Sequence, residues 1–531
     1  MMGGKHLCLI LVLAFSIFAS NSNSLPLSSN KRWIVDESGK RVKLHCVNWS
    51  SHLNAMISEG LDKIPLKKFI AQLKELGFNC VRYTWATHMF TRYSTYKVGE
   101  TFDKLNLHGI RLGIGFYNPS LENVTVVDAF DFIIDEFGKQ GMMVLVDNHV
   151  SDPKWCCDNN DGNGFFGDQY FNPQEWLKGL SNVANRVKAK PQVVAIGMRN
   201  ELRGPNQDKN NWHKYMSQGA TTVHKANPNI LVFVSGLKYD TDLSFLKTNP
   251  LNVSIGNKLV YEVHSYAWSN GSPNDWNKQP VNQKCANVMN NLNDKAGFLM
   301  SGSNPRPLVM SEFGMNMSDI DDKNQRFMSC MLAYLAGVDL DWALWAAQGA
   351  YYIREKKLIV SEHYGIWNYD FSTLRYSKFS QRFQLVQKKL LEPSSNSIKS
   401  YIIYHPLSGQ CVRVNNNLEL ELGDCDGQSK WNKEGQQIKL VGRGACIKAI
   451  SEGSILKLST NCKSKQSFWK TLSATNLHLS TLDGKGKNLC LQRESSTSPK
   501  IVTKKCICVD DNPTCLDDPQ SQWFQLVTTN V

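Results

Sequence analysis

Two glutamates follow apolar runs at widely separated points in the chain. Val193–Met198 precedes the pair Asn200 and Glu201, and a second apolar run, Leu308–Met310, precedes Glu312. Two buried strands that each deliver one carboxyl group would supply what cleavage of a glycosidic bond requires: one carboxyl protonates the leaving oxygen, and the other attacks the anomeric carbon or activates water. The alternative interpretation is that both glutamates pair with arginines at the ends of strands.

The elements that would position these carboxyls are eight apolar segments, mostly separated by segments with helical periodicity. Apolar strands that alternate with helices indicate a parallel sheet covered on both faces. Eight such units over roughly 350 residues predict a (β/α)8 TIM barrel. An open doubly wound sheet is the alternative, but no GxGxxG motif follows an early strand. The predicted strands are Val42–Asn48, Asn79–Tyr83, Met142–Val146, Val193–Met198, Leu231–Val234, Lys258–His264, Leu308–Ser311 and Leu340–Trp345.

Polar or aromatic residues stand at the C-terminal ends of most of these strands, which is where barrels of this kind carry catalytic residues. Taken singly, each has a structural explanation: a histidine satisfied in the core, an arginine in an ion pair, or a core aromatic ring. Their occurrence at matching strand ends favours a shared site. The candidates are Arg82, His149, Asn200, Glu201, His264, Tyr266, Glu312 and Trp345.

The motifs NCVRYTW, VDNHV, MRNEL, YEVHSYAW, MSEFG and DWALW occur in this order. Together they make residues 25–391 resemble glycoside hydrolase family 5, the cellulase-type branch of the retaining (β/α)8 glycosidases. The resemblance implies that Glu201 is the acid/base and Glu312 the nucleophile. It also implies that Asn200 holds the sugar 2-hydroxyl and that Arg82 and Tyr266 orient Glu312. By the same resemblance His149 and His264 line the cleft, and Trp345 is the platform for a sugar ring.

Physical chemistry agrees with these roles and adds three expectations. Carboxyls about 5–5.5 Å apart would give retention, and their repulsion would raise the pKa of the acid while Glu312 stays ionised beside Arg82. Asn200 and Glu201 are neighbours and cannot both point inward from a regular strand, so the strand must end or bulge there. Related barrels often carry a cis peptide after the platform tryptophan, so the Trp345–Ala346 bond is predicted to be cis, with the indole near both glutamates.

Other acidic residues, histidines and cysteines near these motifs receive structural interpretations. Glu262 shares the inward parity of the site residues but lies deeper, so it is predicted to be a buried, paired carboxylate. His149 with Asp147 could begin a metal site, but no third ligand has a suitable spacing, so no metal and no cofactor is predicted. Cys156 and Cys157 are adjacent and are predicted to pair elsewhere, in a loop that borders the cleft.

The composition changes after the barrel. Residues 392–399 (EPSSNSIK) are predicted to be a linker, and residues 400–531 contain a weak repeat of Cys, a variable stretch, Cys, and Gln-x-x-Trp. This repeat resembles the ricin-B-type β-trefoil, although that family usually has Gln-x-Trp. Sugar-binding copies carry an Asp where this chain has Arg413, Lys448 and Gln492, so sugar binding by the repeats stays open. The resemblance implies one disulfide per copy and an extra loop: Cys411–Cys425, Cys446–Cys462, Cys490–Cys506 and Cys508–Cys515.

The remaining features concern the compartment. Residues 1–24 carry Lys5 near their start, followed by the apolar run LCLILVLAFSIFA, which predicts a signal peptide. No other segment is long and apolar enough to span a bilayer. Loss of Cys8 with this segment leaves an even number of the fifteen cysteines, which favours disulfides over metal sites. Sequons for N-glycosylation begin at Asn123, Asn252, Asn270 and Asn316, and also at Asn48, where a strand end makes modification doubtful.

The net charge of +13 is spread over 531 residues without a long basic block, which argues against a nucleic-acid partner. The sequence therefore predicts a secreted, monomeric, retaining endo-type β-glycosidase of the cell wall or apoplast that acts on a β-linked glucan or mannan. Two other functions stay open: a carbohydrate-binding wall protein without turnover, and a transglycosylase that uses the same residues. The choice among cellulose, mixed-linkage glucan, xyloglucan and mannan also stays open, because loop side chains set the subsites.

Overall fold

A computed structural model describes residues 25–426, 429–510 and 512–531. The predicted signal peptide (1–24) and Gln428 of the first repeat lie outside the described residues. Within them, no helix combines the length and the apolar character that crossing a bilayer requires.

Eight parallel strands form a closed barrel, which confirms the predicted TIM-like fold. A short antiparallel pair, β1 (Ser28–Asn30) and β2 (Trp33–Val35), precedes it. The strands follow one another around the barrel in chain order, and the last pairs with the first. They are β3 (His45–Trp49), β4 (Cys80–Ala86), β5 (Met143–Val150), β6 (Val193–Gly197), β7 (Leu231–Val234), β8 (Leu259–Ser265), β9 (Leu308–Phe313) and β10 (Asp341–Leu344).

The barrel strands are apolar on both faces because both faces are covered. All seven residues of β4 and all eight of β5 are buried. One side of the strands packs against the surrounding helices in the large core. The other side forms a smaller cluster that includes Leu145, Phe233 and Val260, and the Cys46–Cys80 disulfide between β3 and β4 belongs to it.

Helices surround the barrel. Helical periodicity in the sequence predicts five of them, and all five are found: Leu66–Leu76, Phe130–Phe137, Trp176–Val187, Trp212–His224 and Gln325–Ala336. The helix Val281–Lys295 was missed because its sequence is polar and rich in asparagine, a poor helix former. The helices are α1 (Leu66–Glu75), α2 (Thr87–Thr91), α3 (Val98–Lys104), α4 (His108–Tyr117), α5 (Pro119–Glu122), α6 (Val126–Lys139), α7 (Pro173–Arg186), α8 (Lys209–Ala226), α9 (Asp275–Lys278), α10 (Val281–Lys295), α11 (Asp322–Val338) and α12 (Phe379–Phe383). Short 3-10 turns lie at Ser244–Lys247, Gly297–Met300, Lys465–Ser467 and Gln520–Gln522.

A β-hairpin follows the last barrel strand. Its arms are β11 (Ala350–Arg354) and β12 (Lys357–Ser361), paired antiparallel. The two residues between them, Glu355 and Lys356, have φ of 50° and 65°. Positive φ at both central residues is the geometry of a two-residue type I′ turn, which suits the twist of a hairpin.

The C-terminal part of the chain is all-β and antiparallel. Trp431, Trp469 and Trp523, one from each repeat, are buried in it. The four disulfides predicted for the repeats are all present. Its strands are β13 (Ser400–His405), β14 (Gln410–Val414), β15 (Leu420–Gly423), β16 (Trp431–Glu434), β17 (Gln437–Leu440), β18 (Cys446–Lys448), β19 (Lys457–Ser459), β20 (Lys470–Leu472), β21 (His478–Leu482), β22 (Asn488–Arg493), β23 (Ile501–Lys505) and β24 (Gln525–Thr529).

Polar contacts join this all-β region to the flank of the barrel. The indole Nε1 of Trp523 donates to Oδ1 of Asn282 at 2.8 Å, and Nδ2 of Asn282 donates to the carbonyl of Cys508 at 2.6 Å. The hydroxyl of Ser329 on α11 donates to Gln520 at 2.6 Å. Since these groups are buried, their hydrogen bonds fix the all-β region against α10 and α11.

Candidate active site

The segment that carries Asn200 and Glu201 leaves the regular sheet before it reaches them. β6 ends at Gly197, where a side chain would collide with Asp147 of the neighbouring strand. Glu201 itself has φ of 29°, outside the strand region of the backbone. This departure from the strand lets two successive side chains reach the same cleft, as the sequence required.

Arg82 lies fully buried beneath the cleft and links the predicted residues. Its guanidinium donates to Oε1 of Glu312 at 2.7 Å, to Oδ1 of Asn200 at 2.9 Å and to Oδ1 of Asn48 at 3.0 Å. The hydroxyl of Tyr266 donates to the other oxygen of Glu312 at 3.0 Å. Both oxygens of Glu312 are therefore held by charged or hydroxyl donors, which favours the ionised carboxylate.

Glu201 and Glu312 face each other across His264. A carboxylate oxygen of each and a ring nitrogen of His264 all lie within 4.8 Å of one another. Nδ1 of His264 is 3.0 Å from Oε1 of Glu201, and its Nε2 is 3.1 Å from the hydroxyl of Ser311. Burial lowers the pKa of His264, so a neutral imidazole stands beside Glu201.

Burial sets the pKa values of the two carboxyls. It raises the pKa of Glu201 to about 7, against the opposing charges of Arg203 and Arg82. It also raises the pKa of Glu312, against the opposing charge of Arg82. Repulsion between the two glutamates was expected to raise the pKa of the acid, but desolvation is the main cause of the raised pKa of Glu201, and the repulsion between the two carboxyls contributes to the raised pKa of Glu312.

Further carboxyls lie deeper in the barrel, around the same arginine. Asp147 Oδ1 is 2.9 Å and Glu262 Oε2 3.7 Å from Nη2 of Arg82, so Glu262 is the buried, paired carboxylate that its position predicts. Asp240 lies 3.5 Å from Nε2 of His264. Burial raises the pKa of all three acids.

Trp345 provides an aromatic surface in the cleft. The Trp345–Ala346 peptide bond is cis, as predicted. The indole is stacked on the ring of His149 at 5.6 Å and 20°, and its Nε1 donates to Glu362 at 3.4 Å. Glu362 was not predicted; it is buried and fixes the orientation of the indole.

These groups open into one cleft of about 890 Å³, within the range typical of ligand sites. Seven of the eight predicted residues line it, and Arg82 lies beneath the floor. Aromatic and charged side chains of the loops add to the wall; among them are Trp155, Tyr239, Trp268, Arg354 and Tyr364.

The prediction that Cys156 and Cys157 pair elsewhere is wrong. They form a disulfide with each other, since the other barrel cysteines of the described chain pair as Cys46–Cys80 and Cys285–Cys330. The expected position beside the cleft is confirmed, and Nδ2 of Asn200 lies 3.6 and 3.8 Å from the two sulfurs.

Two arginines that flank Asn200 and Glu201 were also missed. Arg199 and Arg203 are fully buried, and both turn towards the loop of residues 151–172. Arg199 donates to the carbonyl of Asn163 at 2.5 Å, and Arg203 donates to the carbonyl of Asp158 at 3.1 Å. The sequence signal for their role was the presence of a charged residue on each side of Asn200 and Glu201, directly after a buried strand. Buried arginines need fixed partners.

The same donors could in principle hold a cation. Glu201, His264 and Glu312 are close enough together, as are Asp240, Glu262 and His264. The guanidinium of Arg82 already lies against Glu312 and near Glu262, so its positive charge compensates the charge of these acids.

Comparison with known proteins assigns this arrangement to a family. The sequence profile described as Cellulase (glycosyl hydrolase family 5) matches residues 35–350, more than half of the chain. The chain belongs to glycosyl hydrolase family 5. This family 5 chain is 42% identical over 546 residues to a "Glycosyl hydrolase 5 family protein" of Chamaecyparis obtusa. The match covers 98% of this chain and 96% of that protein. It is 26% identical over 348 residues to the "Major extracellular endoglucanase" of Xanthomonas campestris pv. campestris, covering 62% of this chain and 66% of that protein.

Solved structures show the same fold. The catalytic domain of the Xanthomonas endoglucanase superposes with a TM-score of 0.54 at 24% identity, over 68% of this family 5 chain and 98% of that domain. An endocellulase of the archaeon Pyrococcus horikoshii superposes with a TM-score of 0.55 at 18% identity, over 69% of this chain and all of that one. At these identities the superpositions support the barrel and nothing finer.

Proposed function

We propose that this family 5 enzyme is a retaining β-glycosidase that hydrolyses a β-linked glucan or mannan by double displacement. The observation that carries this proposal is the short separation of the two carboxyls: one oxygen of Glu201 lies within 4.8 Å of one oxygen of Glu312. Retaining enzymes place their carboxyls about 5–5.5 Å apart, whereas inverting enzymes need roughly 6.5–9.5 Å to admit a water molecule. The short separation supports direct attack by one of the glutamates.

In the first step Glu312 is the nucleophile. Its carboxylate, held by Arg82 and Tyr266, attacks the anomeric carbon, and the bond from that carbon to the leaving oxygen breaks. Glu201 gives its proton to the leaving oxygen. A pKa of about 7 keeps a large fraction of Glu201 protonated at neutral pH, as a general acid requires.

In the second step Glu201 acts as the base. Having lost its proton, it takes one from water, whose oxygen attacks the anomeric carbon and displaces Glu312. A group with a pKa near the working pH serves in both directions. Asn200 and the two histidines would bind sugar hydroxyls, and Trp345 would stack on the ring.

The substrate class rests on the relatives and on the cleft. Relatives from Paenibacillus polymyxa and Xanthomonas campestris are described as endoglucanases. The cleft combines aromatic faces with polar groups, which is the surface that binds sugar rings. A β-linked polysaccharide, cleaved in an endo-type manner by a monomer, is therefore the proposed substrate and mode.

The domain arrangement belongs to the same proposal. Residues 25–391 would be the catalytic barrel, 392–399 the linker, and 400–531 a ricin-B-type β-trefoil. One disulfide in each repeat and the three buried tryptophans support the trefoil. The disulfides of the barrel and the repeats, together with the extracellular Xanthomonas relative, support secretion.

The test is a panel of cellulose, mixed-linkage glucan, xyloglucan and mannan, with NMR of the first anomer released. We expect β product from the preferred polymer and loss of nearly all turnover in Glu312→Ala. The matched control is Glu355→Gln, which alters a carboxylate of the cleft that lies on the hairpin turn. Release of α product would contradict retention. Binding without turnover by the unmodified protein would favour the wall-protein alternative, and a predominance of transfer products would favour the transglycosylase.

A further inference from the structure

Two loops meet above one half of the barrel mouth. The guanidinium of Arg354, on the β11–β12 hairpin, stacks 3.8 Å from the ring centroid of Trp155, which lies on the loop after β5. Trp155 also packs edge-on against Tyr351 of the same hairpin, with ring centroids 5.2 Å apart. These three residues are called the barrier below. Trp155 and Arg354 both line the cleft, so the contact is part of its wall.

The order of strands places the barrier. The hairpin follows β10 and the loop follows β5, and β3 and β4 lie between these strands in the closed sheet. The barrier therefore spans the ends of β3 and β4. The opposite half of the mouth lies over β7 and β8, where the rim carries Trp268, 49% exposed, and Lys238, whose side chain is 69% exposed.

Both sides of the barrier are braced from below. The loop is held by the hydrogen bonds of Arg199 and Arg203, and Arg203 also pairs with Asp161 at 2.5 Å. In the hairpin, the hydroxyl of Tyr351 donates to the buried Glu362. Arg375 ties the base of the hairpin by donating to Ser361 at 2.8 Å. Since the braces are buried or partly buried, the barrier is a fixed wall.

Contacts of the barrier identify the side of the cleft that it closes. Glu362 accepts from both Tyr351 and the indole of Trp345, the proposed sugar platform. Cys156, next to Trp155 in the chain, touches Asn200, the proposed partner of the sugar 2-hydroxyl. In the proposed function, Trp345 and Asn200 both contact the sugar whose anomeric carbon is attacked. The leaving group would extend the other way, past His264 and Tyr239.

We infer that the barrier shortens the glycone side of the cleft, so that this enzyme cleaves its polysaccharide close to the non-reducing end and holds the longer part of the chain on the open side over β7 and β8. The inference rests on the proposed hydrolysis, and it replaces the endo-type mode proposed above with cleavage close to the non-reducing end. The exposed indole of Trp268, stacked 4.6 Å from Tyr266, provides an aromatic face where the longer part of the chain would lie.

The test uses cellohexaose and mannohexaose labelled at the reducing end, with the bond of first cleavage read from the labelled product. We expect the unmodified enzyme to release short unlabelled glycones. Trp155→Ala and Arg354→Ala should each raise the ratio of internal to near-terminal cleavage by roughly tenfold or more. This is the range in which removal of a steric contact changes specificity. Trp155→Phe and Arg354→Lys, which retain the ring and the charge, are the matched controls and should keep the original pattern.

A second measurement uses only the unmodified enzyme. Along a series of aryl β-glycosides with glycones of increasing length, kcat/KM should stop rising once the glycone reaches the barrier. A steady rise through the series, or equal cleavage of all bonds in the hexasaccharides, would overturn the inference while leaving hydrolysis intact. A complete lack of hydrolysis would instead overturn the proposed function, and the inference with it.

Discussion

Replacement of Glu201 by glutamine tests the acid/base role with little change in shape. The structure raises the pKa of this carboxyl to about 7. At pH 7 about half of the molecules then carry the proton, against roughly one in 300 to 500 for an ordinary glutamate with a pKa near 4.3–4.5. The amide has no proton of this kind to give, so the variant loses the whole contribution of general acid catalysis, about 10²–10⁴-fold in kcat/KM on an oligosaccharide.

The pH profile and the choice of leaving group make this prediction specific. Protonated Glu201 is the active form, so kcat/KM of the unmodified enzyme should fall as the pH rises through about 7. In Glu201→Gln this alkaline limb should disappear. An activated aryl glycoside needs no acid, so the variant should form the glycosyl-enzyme at near-normal rate, and azide should restore its breakdown. Glu355→Gln is the control and should retain the limb. An alkaline limb that persists at the same pH in Glu201→Gln would refute the assignment of Glu201.

Three further changes have definite expected results. Trp345→Ala should fold and lower kcat/KM by about tenfold or more through loss of the stacking surface, as steady-state kinetics would show, and an unchanged value would remove the tryptophan from the sugar site. Asn282→Ala leaves the indole of Trp523 and the carbonyl of Cys508 without their partners, so chemical denaturation should show unfolding free energy reduced by about 1–3 kcal/mol. Replacing both Cys446 and Cys462 by serine should cost about 2–4 kcal/mol in the same assay, and an unaffected midpoint would contradict a stabilising bridge.

The barrel and the position of the two glutamates at its strand ends were accessible from the sequence because both depend on local patterns. Strands buried on two faces are continuous apolar runs, and β7 (Leu231–Val234) is predicted to the residue. Parity along β8 placed Glu262 below His264, as found. The resemblance of the repeats to the β-trefoil family likewise implied one bridge within each copy, and all three bridges are present.

Features that depend on distant contacts were not accessible. The partner of Cys156 could be known only once the other cysteines had been placed, and the pairing with Cys157 needs a particular turn of the loop. The contact of Trp155 with Arg354 joins residues about 200 positions apart, and no periodicity records it. The pKa of Glu201 also depends on burial by several loops, which is why its main cause differs from the expected repulsion.

Arg199 and Arg203 give the catalytic segment a second task, with a consequence for engineering. The five residues RNELR carry Glu201, the proposed acid/base, at their centre, while their outer arginines donate hydrogen bonds to the loop that forms a wall of the cleft. Grafting a loop from another family member would therefore leave two buried guanidinium groups without their carbonyl partners, one on each side of Glu201. A loop exchanged to change the substrate range must therefore supply hydrogen-bond acceptors for both arginines. The same two buried side chains hold the wall of the cleft and flank the proposed acid/base.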